Sequence, residues 1–287
     1  MIYDKHLITE TSPGYELLDS GDNMKLERFG EVIVARPETQ AVWQKQAPGA
    51  WEAAHAAFMF RDKSGAWDKR KEVPECWEVP YGDIRAHAKL TAFKHTGIFP
   101  EQAPNWAWAT ACIEKLQKPQ VLNLFGYTGI ASVAAAKAGA LVTHVDALKQ
   151  WITWAKENAA LSGIPGDGIR WILDDALAFA KREVRRGAKY GGIILDPPAF
   201  GRGAKGEVWH IEEHLPELLP VLKELLEEKP GAFFLVNGYA AGYASRSFAQ
   251  AVESVFGKVA GESGELHIKE STSERVIPAG IYVRFVR

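Results

Sequence analysis

Asp146, Asp174, Asp175 and Asp196 each stand at or just past the end of a short apolar run. Such runs, bounded by turn signals, read as buried strands. In open α/β sheets ligands lie beyond the strands' carboxyl ends, so these acids are candidates for chemistry. Asp146 follows Gly126 by about 20 residues, the spacing at which a nucleotide-binding βαβ unit places the carboxylate that accepts ribose hydroxyls. Between them, Phe125-Gly126-Tyr127-Thr128-Gly129 breaks the first strand, lets backbone approach a ligand and leaves unpaired N–H groups at the start of the next helix. The segment is not G-x-G-x-x-G, so no dinucleotide pyrophosphate cradle is drawn, and no Lys-Ser or Lys-Thr follows, which excludes a P-loop.

Asp174-Asp175-Ala176 opens a helix, so one member of the pair should cap it. Asp196-Pro197-Pro198-Ala199-Phe200 is harder to read as structure alone. Two prolines directly after a buried strand remove two N–H donors, stiffen the turn and leave carbonyls toward the crevice. His210-Ile211-Glu212-Glu213-His214 fits the H-x-x-E-H spacing of inverted zinc proteases. It sits at a helix entrance and would need a third ligand from elsewhere; we read it as a solvated helix start and expect no metal.

The elements that must position these residues alternate. From Val121 onward the pattern predicts strands at Val121 to Leu124, Leu141 to Val145, Ile169 to Leu173, Ile193 to Leu195 and Ala232 to Val236. Helices are predicted between them: an Ala-rich one up to Gly139, then Lys149 to Ser162, Ala176 to Arg186 and about Leu215 to Glu228. Another helix precedes them at about Trp106 to Leu116, and one more lies near Phe248 to Val255. Uniformly apolar strands in β-α alternation argue for a parallel sheet covered on both faces. Two last strands, near Leu266 to Lys269 and Ile281 to Phe285, have too short a connection for a helical crossover and should pair antiparallel.

Residues 1–92 read differently, as a small β-rich domain with strands such as Tyr15 to Leu18, Glu31 to Ala35, Ala57 to Arg61 and Ile84 to Phe93. Turns are expected at Asp19-Ser20-Gly21 and Lys63-Ser64-Gly65. Trp43, Trp51, Trp67 and Trp77 in this part read as core, with stacking on bases as the alternative. Residues 93–287 form the second expected domain.

At 287 residues, 47% hydrophobic and 24% charged, the chain has the composition of a soluble globular protein. Neither a basic, apolar leader nor an 18-residue apolar stretch is present in it, and we expect a cytoplasmic protein without membrane contact. Cys76 and Cys112 have no metal-type spacing and suit free thiols in a reducing compartment. The net charge of −2 argues against broad nucleic-acid binding. Locally the balance differs: Lys181, Arg182, Arg185, Arg186, Lys189, Arg202 and Lys205 face only Glu183 and Asp196 in the same stretch. That cluster is either a solvated helix face or a phosphate-contacting substrate rim, with Arg185, Arg186, Arg202 and Lys205 as its members.

The turn and the Asp-Pro-Pro motif together resemble class I S-adenosylmethionine (SAM) dependent methyltransferases. Their first motif is acid-x-Gly-x-Gly-x-Gly; here Asn123, Phe125 and Tyr127 hold the acid, first-glycine and second-glycine places, and Gly129 matches the third. Phe-Gly-Tyr-Thr-Gly is the variant of a subgroup resembling bacterial large-subunit ribosomal RNA methyltransferases, which Asp196 to Phe200 also fits. In that subgroup a segment like Thr-Gly-x-Phe-Leu-Asp-Gln-Arg closes over the methionine end of SAM. Thr96, Gly97, Phe99 and Gln102 match it, Glu101 keeps the acid, and Ala103 replaces the arginine.

The resemblance covers about two thirds of the chain. It implies a Rossmann-like α/β fold, with a mostly parallel seven-stranded sheet and one antiparallel strand, and the cofactor SAM. The implied cofactor set is Phe125, Gly126, Tyr127, Thr128, Gly129, Asp146, Asp175 and Asp196, with Thr96, Phe99 and Gln102. Asp146 takes the ribose, Asp175 the adenine amine, and Asp174 caps the helix. Asp196 and Pro197 would hold a target amine while Phe200 stacks on its base, in RNA and most simply ribosomal RNA. Carbon-5 methylation of cytosine would need a cysteine after the fifth sheet strand, where this chain reads Val236-Asn237-Gly238-Tyr239; an exocyclic nitrogen is therefore expected. Two alternatives stay open: a methyltransferase of protein or small molecules, and a non-catalytic SAM- or nucleotide-binding partner protein.

Overall fold

Strand and helix alternation in the second part of the chain builds the larger body of a computed structural model, which describes residues 2–61, 64–203, 206–239 and 242–287. The chain forms two compact units, one of residues 2–7, 104–266 and 280–287, the other of residues 8–103 and 267–279. The sequence pattern predicts one boundary, between residues 92 and 93. The division instead falls about ten residues later and is not sequential, because residues 267–279 leave the larger unit in mid-strand.

In chain order, β1 (Ile2–Asp4) belongs to the larger unit, and β2 (Leu7–Thr9) leads out of it. The smaller unit follows with β3 (Tyr15–Gly21), β4 (Met24–Phe29), β5 (Val32–Pro37), β6 (Ala56–Arg61) and β7 (Ser64–Lys69) in one sheet of that order, and a hairpin of β8 (Trp77–Tyr81) and β9 (Ile84–Ala88). The β3–β4 turn lies at Asp22-Asn23, with φ of 53° and 58°, and not at Asp19-Ser20-Gly21. Asp and Asn tolerate the left-handed conformation that a tight two-residue hairpin demands at both central positions. Asp19 is instead buried, accepting from the indole N–H of Trp51 at 2.8 Å and from Arg275 at 2.7 Å. The turn expected at Lys63-Ser64-Gly65 falls partly outside the described residues, which omit Lys63. All four tryptophan N–H groups donate internally: Trp43 to Ser20, Trp51 to Asp19, Trp67 to Thr91 and Trp77 to Phe29. These rings are packing elements.

The larger unit continues with α1 (Ala103–Ile113), β10 (Gln120–Leu124), α2 (Ile130–Lys137), β11 (Leu141–Asp146), α3 (Lys149–Leu161), β12 (Ile169–Leu173), α4 (Ala176–Arg185) and β13 (Gly192–Leu195). Then come a small hairpin of β14 (Phe200–Arg202) and β15 (Val208–His210), α5 (Ile211–Leu225), β16 (Phe233–Gly238), α6 (Ser245–Phe256), β17 (Gly261–Lys269) and β18 (Val276–Val286). The sheet order is β1-β17-β18-β16-β13-β10-β11-β12. Strands β10 to β13 and β16 run parallel, and β18 runs antiparallel to β16. The expected mostly parallel sheet with a reversed strand is present, and β1 extends it beyond β17.

Alternation divides the sheet into two faces. Leu122, Leu124, Ile193, Leu195, Phe234, Val236, Val283 and Phe285 pack against residues of α4, α5 and α6. On the other face, Phe233 meets Trp108 of α1 edge-on at 5.7 Å, and Asn123 meets Ser132 of α2. Helix α5 begins four residues before the expected Leu215, since Pro216 reads as a first-turn residue yet lies inside the helix. Ile211, Leu215, Leu218, Leu219, Leu222 and Leu225 are all buried along its inner stripe. At roughly 1.5–3 kcal/mol each, their burial outweighs about 3 kcal/mol for each interior proline. Among the described residues no helix is long and apolar enough to cross a membrane.

Candidate active site

The turn after β10 carries the main surprise. Phe125 and Tyr127, standing at the two missing glycine positions, have φ of 56° and 49°, and Gly129 has φ of 80°. The backbone thus keeps the left-handed conformation that glycine would supply, at a cost of about 1–2 kcal/mol for each non-glycine residue. Side chains hold it there. The Tyr127 ring lies 4.6 Å from that of Trp151, and Phe125 packs at 4.7 Å against Trp209. The Tyr127 N–H donates to Asp146 Oδ2 at 2.9 Å. Gly126 has no room for a side chain, since a Cβ would stand 2.3 Å from the buried ring of His144. Gly129 opens α2, and a Cβ there would meet Ala155 at 2.7 Å. Thr128 is buried, and its carbonyl accepts from Asn158 Nδ2 at 2.8 Å.

Beneath this turn, Asn123 at the family's acid position donates to Ser132 Oγ at 2.8 Å, which lies 2.9 Å from His144 Nδ1. Burial holds the His144 imidazole down to about 3, so it is neutral and serves packing.

Asp146 ends β11 next to the turn, with Oδ1 accepting from Leu148 N–H at 3.0 Å and Oδ2 from Tyr127. Burial raises its carboxyl above the usual range, while the Leu148 and Tyr127 N–H groups pull it back. Each oxygen has a second lone pair for a ribose hydroxyl.

At the end of β12 the expected helix cap is corrected by one residue. Asp175, not Asp174, caps α4, accepting from Ala178 N–H at 2.8 Å. Asp174 is ion-paired with Arg182 and accepts from the Asp175 N–H at 3.0 Å. The cap needs a side chain reaching two or three residues forward, which the residue directly before the first helical turn supplies.

Asp196 extends β13 by one residue, its N–H 3.4 Å from the Leu124 carbonyl, and is followed by the buried Pro197. The next residues turn into the β14–β15 hairpin, an element that the strand and helix patterning does not signal. Trp209 Nε1 donates to the Pro198 carbonyl at 2.8 Å, and Ile211 N–H to that of Ala199 at 3.1 Å. Phe200 is left 52% exposed, with the Arg202 guanidinium 5.8 Å from its ring centre. His210 closes the hairpin, and its N–H donates to His214 Nδ1 at 3.0 Å. The H-x-x-E-H spacing therefore serves a helix entrance.

The proposed basic rim is corrected by topology. Helix α4 runs ten residues, about 15 Å, back from Asp175, so Arg185 and Arg186 lie at the amino-terminal edge of the strands, opposite the acids. Arg186 pairs there with Glu183, and Gly191, five residues on, bonds to Gln120 at the start of β10. Arg202 remains at the carboxyl-terminal side. Lys205 lies outside the described residues.

Thr96, Phe99 and Gln102 belong to the smaller unit, where residues 100–102 form a short 3-10 turn. Thr96 and Gln102 are buried, Phe99 meets His95 at 5.2 Å, and Thr9 Oγ1 donates to the Pro100 carbonyl at 3.2 Å. Burial raises the Glu101 carboxyl to about 7, against the pull of Lys25 and Arg36 and with a push from Glu27. A carboxyl raised on folding contributes its stability below its unfolded value, near 4.5, and loses it as pH rises through 7. Glu101→Gln should therefore leave stability near pH 4 unchanged and add about 2–3 kcal/mol at pH 8, by urea denaturation at both values.

A family model described as S-adenosylmethionine-dependent methyltransferase matches residues 28–253. The chain belongs to this family. It is 38% identical to a SAM-dependent methyltransferase of known structure from Agrobacterium tumefaciens, with a TM-score of 0.91 over 99% of this chain and 96% of that one. A SAM-dependent methyltransferase from Streptococcus mutans shares the fold at 20% identity, with a TM-score of 0.75 over 96% and 75% of the two chains. In sequence, 150 residues are 36% identical to the ribosomal RNA large subunit methyltransferase K/L of Shewanella frigidimarina. That match spans 52% of this chain and 20% of the relative. SAM supplies an activated methyl group, and a group at the strand ends fits it by type: the Asp146 carboxylate, an acceptor suited to ribose hydroxyls, beside the turn of residues 125–129.

Proposed function

We propose that this methyltransferase modifies an exocyclic nitrogen of a base in RNA, with ribosomal RNA as the source. The observation that carries the reading is the turn after β13: an acid and a buried proline at the strand end, and four residues on from the acid an aromatic ring half open to solvent. A sulfonium methyl donor needs little acid–base help. It needs the acceptor lone pair held in line with the methyl carbon. Asp196 and the Pro197 carbonyl accept the hydrogens of the target amine, and Phe200 offers its face to a flipped or single-stranded base. Relatives named for large-subunit ribosomal RNA support the choice of substrate. In the cofactor site Asp146 holds the ribose, Asp175 the adenine amine through the oxygen not used as cap, and residues 125–129 approach the donor.

A covalent cytosine mechanism lacks its thiolate. Cys112 is buried in α1 with its thiol pushed up to about 11 by burial, and Cys76 lies in the smaller unit. RNA carrying 5-fluorocytosine traps the covalent intermediate of carbon-5 enzymes and should leave this protein free on denaturing gels. A SAM-dependent adduct lost on changing either cysteine would overturn the nitrogen assignment.

Arg202 is the rim residue retained in this reading. Arg202→Ala should lower the salt slope of RNA binding by about 1, while Arg185→Ala with Arg186→Ala leaves the slope unchanged. The reverse result, from binding isotherms between low and moderate salt, would restore the helix face as the RNA contact.

A further inference from the structure

A hydrogen-bonded relay running inward from the surface fixes the polarity of one amide beside Asp196. Its anchor is Glu262 on β17, which accepts from Tyr3 Oη at 2.8 Å, Lys5 Nζ at 2.9 Å and Arg284 Nε at 3.0 Å. Arg284, buried on β18, has donors only. Its Nη1 reaches Asn105 of α1 at 3.1 Å, so the Asn105 atom facing it must be the oxygen. The Asn105 Nδ2 is then the group that donates to Asn237 at 2.9 Å, and the Asn237 atom receiving it must likewise be the oxygen. This chain of necessity settles amide orientations that atomic positions alone leave ambiguous.

Asn237 is left with its Nδ2 as a directed donor. The residue is 3% exposed, and among the described residues no hydrogen bond takes up this group. An amide N–H2 held in one direction selects a ligand that offers it an acceptor. Its position says which. Leu195 of β13 pairs with Val236 of β16, so the next residues along the two parallel strands are Asp196 and Asn237. An acceptor and a donor thus stand side by side at the strand ends.

We propose that Asn237 is a specificity-determining residue that donates to the ring nitrogen next to the target amine. This rests on the reading of Asp196 as holder of an exocyclic amine. An acceptor beside a donor complements the edge on which an amine adjoins an unprotonated ring nitrogen, as in adenine, cytosine and the N2–N3 side of guanine. Uracil offers no amine and a protonated N3, so the pair rejects it. Asn105 acts as a positioning residue, keeping the Asn237 oxygen turned away from the base.

The test uses the full chain, tritiated SAM and transcribed large-subunit ribosomal RNA. Asn237→Asp keeps the size and an oxygen for Asn105 but replaces the donor by an acceptor. It should lower kcat/KM for the RNA about 10–100-fold, with SAM affinity by calorimetry within about twofold and the melting temperature unchanged. Asn237→Ala should lose a similar amount, and Asn237→Ser, which keeps a donor hydroxyl, should recover part of it. Asn105→Ala should reduce transfer in the wild-type background and add nothing to Asn237→Ala. Wild-type kcat/KM in Asn237→Asp, or a loss carried wholly by SAM affinity or melting, overturns this assignment alone. If wild-type protein transfers no methyl group to RNA, the RNA reading and this inference fall together.

Discussion

Asp196→Ala is expected to lower methyl transfer to RNA by about 10²–10⁴-fold while weakening SAM binding less than about tenfold. The basis is geometric. The residue extends β13 by one position, tethered through its N–H to Leu124, and the proline ring that follows stiffens the turn. Aligning an amine lone pair with the methyl carbon contributes mainly to the transition state, so its loss falls on kcat. Asp196→Asn, which retains one acceptor oxygen, should be milder. Single-turnover transfer and calorimetric SAM binding, measured on the same preparations, separate the two effects. Full transfer by Asp196→Ala would remove this turn from the chemistry.

Asp146→Ala is expected to weaken SAM by about 100-fold. Two charge-assisted hydrogen bonds to a ribose are each worth roughly 1.5–3 kcal/mol, offset in part by water in the variant. A second contribution comes from the turn itself. Asp146 Oδ2 is the acceptor for Tyr127 N–H, at a residue held in the left-handed region, so its removal also loosens the backbone that approaches the donor. Asp146→Asn keeps one oxygen acceptor and should lie between. Calorimetry on folded variants decides it, and unchanged affinity would place the cofactor elsewhere.

The acids, the strands and most of the helices are legible in the sequence because each has a local cause. Buried parallel strands are apolar throughout, and an acid directly after such a run marks the strand end where ligands gather. What the sequence hides depends on contacts between distant residues. Phe125 and Tyr127 look like lost glycines, yet the turn keeps glycine's backbone because Trp209, Trp151 and Asp146 hold it. The start of α5 is masked by Pro216, whose cost is met by a stripe of buried leucines visible only once the helix is packed. The cap at Asp175 and the ion pair at Asp174 cannot be told apart from two adjacent aspartates. Arg185 and Arg186 are near Asp196 in sequence but are carried to the far edge of the sheet by one helix. Asn237 does not stand out as a site residue because its significance comes from Asn105 and Arg284, the first 132 residues before it and the second on β18. A polar residue at the end of a predicted inner strand is the one available signal.

The central claim is that this protein moves a methyl group from SAM to a base nitrogen in RNA. Incubation with methyl-tritiated SAM and separate ribosomal RNA, protein and metabolite fractions, followed by nuclease digestion and chromatography of the nucleosides, tests it most directly. Label is expected in RNA, in a nucleoside methylated on an exocyclic nitrogen, and is expected to be lost in Asp196→Ala. Label confined to protein or metabolites, or found on cytosine carbon 5, would contradict it.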